Sequence, residues 1–466
     1  MRAPLLFLRV LMMGCVLVLA GCEAPKPMDG RLQTDGNIAV ETVKVADDID
    51  VWLVEDHTVP MVALEIRFLG GSVEDPKGQE GRAAMMAALL SEGAGAWDDE
   101  AFALRLEDLQ MGISAAAGED SVRVSARMLS KNLEPGFEVL QAVLRDPRFD
   151  EEALRRIRDR ALLGLKDRET DPGWLAETAL KAATFPDSPY ARTITQESLM
   201  GIGRDEVLAA HAHHLTRGRM QITVVGAIGR QHLENLIEAY LLDVPKAGAA
   251  PEPATLAVDP ANRVLKRTLP QPQTRLSYVA PAVALKHDDF FPLYLAAHIL
   301  GSGDFSSRLM QSLRVEKGLT YGVGLQLMHY KGGGMLMGGT LTQNARADDA
   351  LRAFRHELHH LADQGVTAEE LDDAKRYLTG SFVLGFDGSS AMASRLAGFR
   401  AQGRESDYVN RRNQIIHEVT LADVNRVAAQ YFHPSQFTVV AVGIPSGIKA
   451  NQVFATSKAD LKKVAP

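Results

Sequence analysis

The chain is 466 residues long, 46% hydrophobic and 24% charged, with a formal net charge of -8. That is the balance of a folded globular protein, and with Lys and Arg scattered rather than clustered it excludes nucleic acid as a partner, since phosphate binding needs a basic face. Its two cysteines, Cys15 and Cys22, both lie near the amino terminus, so no disulfide and no cysteine metal site holds the rest together.

Residues 1–21 carry Arg2 and Arg9 and then an apolar run, Val10 to Ala20, which is short for a membrane span and has the form of a secretory leader. It closes on Leu19-Ala20-Gly21-Cys22, which resembles a bacterial lipobox and makes Cys22 the expected lipidation site. Residues 22–37, polar and punctuated by Pro25 and Pro27, are then a tether, and the chain is expected to be lipid-anchored in a bacterial envelope and to face the periplasm, at the outer membrane rather than the inner.

A first domain is expected over residues 38–243. Val62, Leu64, Ile66 and Phe68 alternate with less apolar neighbours, as do Val122, Val124, Ala126 and Met128, and period two predicts strands of a half-buried sheet. Helical patterns cover Gly81 to Glu92, Trp97 to Gln110, Leu133 to Arg145 and Phe149 to Lys166. Strand pairs followed by runs of helices predict an α+β fold, an antiparallel or mixed sheet with helices packed on one face. His211, His213 and His214 are expected as surface residues at a helix end.

Residues 244–263, broken by Pro245, Pro251, Pro253 and Pro260, show neither period and are expected to link two domains. The second domain, residues 264–450, offers strands at Thr274 to Ala280, Leu319 to Met328, Gly334 to Thr342 and Phe437 to Val442. Its helices are expected at Asp288 to Leu300, Ser306 to Val315, Ala345 to Ala362 and Thr367 to Leu384, with a tail from 451 to 466. Each half closes on a helix running into a β-branched strand, first at Leu208 to Gly226 and again at Val427 to Gly443. A period above two hundred residues indicates a duplicated domain, because solenoid repeats run only ~20–50 residues.

Two segments carry a more specific signal. The stretch Gly70-Gly71-Ser72 through Asp75-Pro76-Lys77-Gly78 to Gly95 resembles the frame of the inverted-motif zinc peptidases of the pitrilysin/insulinase family. In that family a Gly-Ser strand end and a Pro-Lys-Gly loop precede a helix bearing His-x-x-Glu-His. Here the first His position is Ala84, the Glu is Ala87 and the second His is Ala88, and alanine offers neither a lone pair to a metal nor a proton acceptor to a water. Glu169-Thr170-Asp171-Pro172 is similar to the turn after the third-ligand helix, and counting back places that ligand at Gly164. In the second half, Gly301-Ser302-Gly303-Asp304-Phe305-Ser306-Ser307-Arg308-Leu309, Leu313-Arg314 and Lys317-Gly318-Leu319-Thr320-Tyr321-Gly322-Val323 resemble the signature of the family's carboxy-terminal domain, where the Arg and Tyr matching Arg314 and Tyr321 help hold substrate near the zinc. A guanidinium fork can polarise a peptide carbonyl and a phenol can donate to an oxyanion.

The resemblance, from about Ile38 to Gly443, implies the inactive half of a two-chain peptidase, like one subunit of the mitochondrial processing peptidase. This chain would bind no cofactor itself. It would grip unfolded peptide, supply Arg314 and Tyr321 in trans, and form a heterodimer with an intact-motif subunit that carries the zinc. Two other functions remain open. His356-Glu357-Leu358-His359-His360 satisfies His-Glu-x-x-His and allows a self-sufficient zinc peptidase through His356 and His360, although Leu351, Phe354, Leu358 and Leu361 define the buried face of that helix. A peptide-binding scaffold without a catalytic partner is the other.

Overall fold

The computed structural model describes residues 37–249, 252, 255–259 and 262–453. The leader, Cys22, nearly all of the tether and most of the tail lie outside the described residues.

Six strands form the first sheet: β1 (Glu41–Ala46), β2 (Ile49–Glu55), β3 (Met61–Leu69), β4 (Gly112–Ala117), β5 (Ser121–Leu129) and β6 (Met220–Gly226), in the order β1-β2-β6-β3-β5-β4. The alternation read from the sequence sets the register: Val62 pairs with Met128, Leu64 with Ala126, Ile66 with Val124 and Phe68 with Val122. All eight side chains point to one buried face. That face is covered by helices of the same half, α1 (Arg82–Leu89), α2 (Asp99–Asp108), α3 (Leu133–Arg145), α4 (Glu151–Arg168), α6 (Gln196–Met200), α7 (Arg204–His214) and α8 (Arg230–Tyr240). Between them in the chain lies α5 (Pro172–Thr184), which goes elsewhere.

The second sheet comprises β7 (Val264–Thr268), β8 (Gln273–Ala282), β9 (Thr320–Tyr330), β10 (Gly333–Gln343), β11 (Thr438–Gly443) and β12 (Gln452–Val453), ordered β12-β7-β11-β8-β10-β9. Its topology repeats the first. A parallel pair, β2 with β6 and β7 with β11, is followed by an antiparallel series, β6-β3-β5-β4 and β11-β8-β10-β9. The duplication expected from the sequence is therefore visible over five strands of each sheet, all but the edge strands β1 and β12, and it makes β9 the counterpart of edge strand β4. Its helices are α9 (Phe290–Ala297), α10 (Ala347–Gln364), α11 (Ala368–Gly380), α12 (Ser389–Ala401), α13 (Tyr408–Glu418) and α14 (Leu421–Tyr431). The helix expected over Asp288 to Leu300 continues past α9 as a π-helical turn, His298–Ser302, and the one expected over Ser306 to Val315 is π-helical over Met310–Glu316. Wide turns of this kind mark sites where a residue has been inserted, frequently next to function.

The other face of each sheet is covered from across the molecule. Helix α12 of the second half lies over the first sheet, where Ala393 and Leu396 meet Trp52, Val54, Ala63 and Val225. Helix α5 of the first half lies over the second sheet, where Leu175, Ala176, Ala179 and Leu180 meet Leu265, Val279, Val440 and Val442. Arg400, 7% exposed at the end of α12, donates to Ile222 O at 2.6 Å and to Asp50 O at 3.0 Å. Residues 38–453 accordingly sit in one compact unit. Described parts of the proline-rich segment pack too: Leu256 is buried and its N–H donates to Gly332 O at 3.1 Å.

Candidate functional site

Helix α1 begins where Gly81 turns the chain at φ 101°, a left-handed conformation that suits a residue without Cβ. Its first turn is capped by Asp75, a buried carboxylate that accepts from Gly81 N at 2.9 Å and Ala83 N at 3.0 Å. Burial pushes the Asp75 carboxyl up, and these backbone bonds pull the other way. The sequence signal for Asp75 is an Asp seven positions before Arg82, the first residue of α1, within the Gly-Ser to Pro-Lys-Gly loop.

Ala84 and Ala88 on α1 are half-buried and Ala87 is fully buried. Helix α4, which carries Gly164, packs against α1, and a Cβ built on Gly164 would meet nothing within 4 Å. The helices that would hold a metal are thus side by side, but the four positions supply no nitrogen or oxygen ligand, and these residues do not fit zinc.

The literal His-Glu-x-x-His helix does not fit it either. On α10, His356 is solvent-exposed and its ring lies 6.4 Å from that of His360, centroid to centroid. His360 Nδ1 is 3.2 Å from the Arg308 guanidinium, a cation where a metal would have to sit. Arg308 in turn forks onto Glu370 with both bonds at 2.7 Å. Burial would raise the Glu370 carboxyl, but the bonds from Arg308 and the Thr367 N–H outweigh it and hold it below its ordinary value.

One histidine differs from expectation. His214, expected at the surface, is fully buried, because α7 packs along α1 and its last turn closes against Glu74. Neither ring nitrogen has a hydrogen-bond partner among the described residues, and burial pulls its pKa down to about 3. His211 is half-buried with Nε2 2.8 Å from Leu144 O, and His213 is exposed. Ligand atoms of Glu74, His213 and His214 lie within 4.8 Å of one another, the one such group among the described residues. Arg219 already occupies that centre: Nη1 donates to Glu74 Oε2 at 2.6 Å and Nη2 lies 3.5 Å from His213 Nε2. A second cation there would face a guanidinium, so the group is an ion-paired network.

Arg314 and Tyr321 come together in a cleft of about 840 Å³ along β9. Arg314 projects from the π-helical turn, and its guanidinium lies over the Phe305 ring at 4.4 Å with no hydrogen bond or ion pair among the described residues. Tyr321, at the start of β9, is 84% exposed. Gly301 closes the cleft's back: a Cβ there would come within 2.5 Å of Leu325 N, so the π-helical turn can press on β9 only through a glycine. Glu177 of α5 and Arg275 of β8 line the far wall, which makes the cleft a joint product of both halves. A guanidinium fork and a phenol on one wall, neither with a hydrogen bond or ion pair among the described residues, can bind carbonyl oxygens.

Comparison with known proteins agrees with this geometry. The chain is 26% identical over 330 residues to a non-peptidase homolog, YmxG, of Helicobacter pylori, spanning 70% of this chain and 76% of that protein. The crystal structure of a peptidase M16 inactive domain from Pseudomonas fluorescens superposes with a TM-score of 0.81 at 26% identity, covering 88% of this chain and 99% of that one. The periplasmic protease PqqL of Escherichia coli matches in fold, with a TM-score of 0.73 at 15% identity over 88% of this chain but 47% of its own. The family model for insulinase (peptidase family M16) matches residues 50–198, and the one described as the peptidase M16 inactive domain matches residues 201–378. The chain belongs to the peptidase M16 family.

Proposed function

We propose that this chain is the non-catalytic subunit of a two-chain M16-type peptidase. It binds unfolded peptide and lends Arg314 and Tyr321 to a partner subunit whose intact His-x-x-Glu-His helix holds the zinc. The observation that carries this reading is the pair itself: both residues line one cleft without a hydrogen bond or ion pair among the described residues, in a chain whose own α1 carries alanine at positions 84, 87 and 88.

In the proposed arrangement the chain is held at the periplasmic side of an envelope membrane through a lipid on Cys22. No helix among the described residues is long and apolar enough to cross a membrane. The test is to co-express the chain with the intact-motif M16 subunit of the same organism, confirm that they assemble, and measure peptide turnover with Arg314→Ala and Tyr321→Phe. Loss of a transition-state donor is expected to cut turnover ~10²–10³-fold in the assembled pair. Unchanged turnover in both variants would leave a scaffold role as the better account, and stoichiometric zinc in the isolated chain would refute the non-catalytic assignment.

A further inference from the structure

A second cavity, of about 650 Å³, lies where the two halves meet, between the first sheet, the β9–β10 hairpin and the end of α12. Its charge is unbalanced. Arg67 of β3 is half-buried, its Nε is buried without a partner, and its guanidinium makes no hydrogen bond among the described residues. Lys286, exposed, and Lys331, half-buried, line the same space, and neither ammonium group has a hydrogen bond among the described residues.

Nearby carboxylates offset them only in part: Asp120, which lines the cavity, balances one of the three cations. Asp120 accepts from Tyr190 OH at 2.5 Å and from Lys331 N at 2.9 Å, Glu74 is held by Arg219, and Asp50 by Arg400. Glu65, beside Arg67, is 6% exposed, and burial pushes its carboxyl up against the pull of Ser125, Arg123 and Arg67. His329 turns its Nε2 to Gln402 at 3.0 Å. The end of α12 does not consume the cations either, because Gly398, Phe399 and Arg400 carbonyls accept from Gln402, Arg404 and Gly403 N–H groups. Burial pulls Lys331 down against the opposing pull of Asp120 and Glu74, and with Arg67 and Lys286 beside it the cavity keeps an excess of positive charge that a bound anion would relieve.

Tyr330 lines both this cavity and the Arg314/Tyr321 cleft. Strand β9 joins them, and from Tyr321 to Tyr330 an extended chain spans roughly 30 Å at ~3.3 Å per residue. Leu69 and Leu285 add apolar wall beside the cations.

Building on the peptide-binding function proposed above, we infer that this cavity receives a carboxylate of the bound peptide, about nine residues from the segment held at Arg314 and Tyr321. Arg67 forks onto it, Lys286 and Lys331 flank it, and an adjacent apolar side chain packs on Tyr330 and Leu285. The carboxylate can come from a chain end or from an Asp or Glu side chain.

The test is fluorescence anisotropy on the full chain with a labelled decapeptide of Ala, Ser and Leu ending in Glu-Leu-Glu. Companion peptides replace Glu by Gln, amidate the C-terminus, or do both. The acidic peptide is expected to bind about tenfold more tightly than the fully neutral one in dilute buffer, with the advantage shrinking in ~0.5 M salt. Arg67→Gln and Lys331→Gln should each remove most of that advantage and leave the neutral peptide's affinity alone. Loss on amidation assigns the site to a chain end, and loss on Glu→Gln to side chains. If Arg67→Gln fails to fold, Lys331→Gln, in the hairpin turn, carries the test. Equal binding of acidic and neutral peptides, or an advantage that survives both substitutions, overturns the inference while peptide binding stands. Binding of none of the peptides overturns the peptide-binding function itself.

Discussion

Replacing Arg400 with methionine would remove the guanidinium that ties α12 to the first sheet while keeping most of the stem. Three bonds go: to Ile222 O at 2.6 Å, to Asp50 O at 3.0 Å and to the Asp50 carboxylate at 2.5 Å. A bond from a charged donor contributes ~1.5–3 kcal/mol. The Asp50 side chain is 53% exposed and regains water, so its share falls to about 0–1 kcal/mol. Burial pulls the Arg400 pKa down, and losing the charge recovers that desolvation cost. What remains is a loss of about 2–4 kcal/mol. Urea unfolding followed by tryptophan fluorescence suits the measurement, because Trp52 lies under the guanidinium at 5.6 Å. Circular dichroism on the same samples should give one coincident transition, shifted to lower urea with an unchanged slope. A loss below ~0.5 kcal/mol, or two separate transitions in the wild-type chain, would refute the claim that the halves are locked through their exchanged helices.

His214 sets an acid limit on stability. Its folded-state pKa of about 3 lies below the ordinary value of 6.5, so the fold holds the neutral ring. The stability it contributes is complete above pH ~6.5 and declines as pH falls toward 3, by about 1.4 kcal/mol per unit. Glu74, 3.7 Å away, does not rescue the charged form because Arg219 already holds it. His214→Leu should flatten this part of the pH–stability curve, and an unaltered curve would place the titration elsewhere. Ala87→Glu, which puts back the general-base side chain at a fully buried position, should destabilise by at least ~2 kcal/mol in urea, whereas Ala84→His at a half-buried position should cost under ~1 kcal/mol. A neutral Ala87→Glu would mean that this position opens to solvent.

The strands with clean alternation, β3 and β5, were legible because each has one face on helices of its own half, and their pairing follows the pattern residue by residue. Arg314 and Tyr321 were legible as residues through the segment around them, though not the freedom of their side chains. Less was readable where contacts are remote in sequence. Helix α12 has weak patterning of its own, since Ala393 and Leu396 face a sheet built from the first half. The π-helical turns have the sequence pattern of ordinary helix, because the widening that seats Gly301 against β9 leaves no periodic trace. His214 was misplaced for a related reason. A histidine at a helix end is usually solvated, and only the packing of α7 along α1 buries it.

The exchange of α5 and α12 also constrains how the chain can be made. When the first half leaves the ribosome, Trp52, Val54, Ala63 and Val225 have no cover, and α5 has no sheet to rest on. Both wait for residues such as Arg400, which meets its partner 350 positions away. Non-local pairing of this kind slows folding and prolongs exposure of apolar surface. A chain that must stay unfolded while it is exported would gain from that delay, whereas a fragment cut within residues 244–263 would be left with a bare apolar sheet face and would be expected to aggregate rather than persist as a free domain.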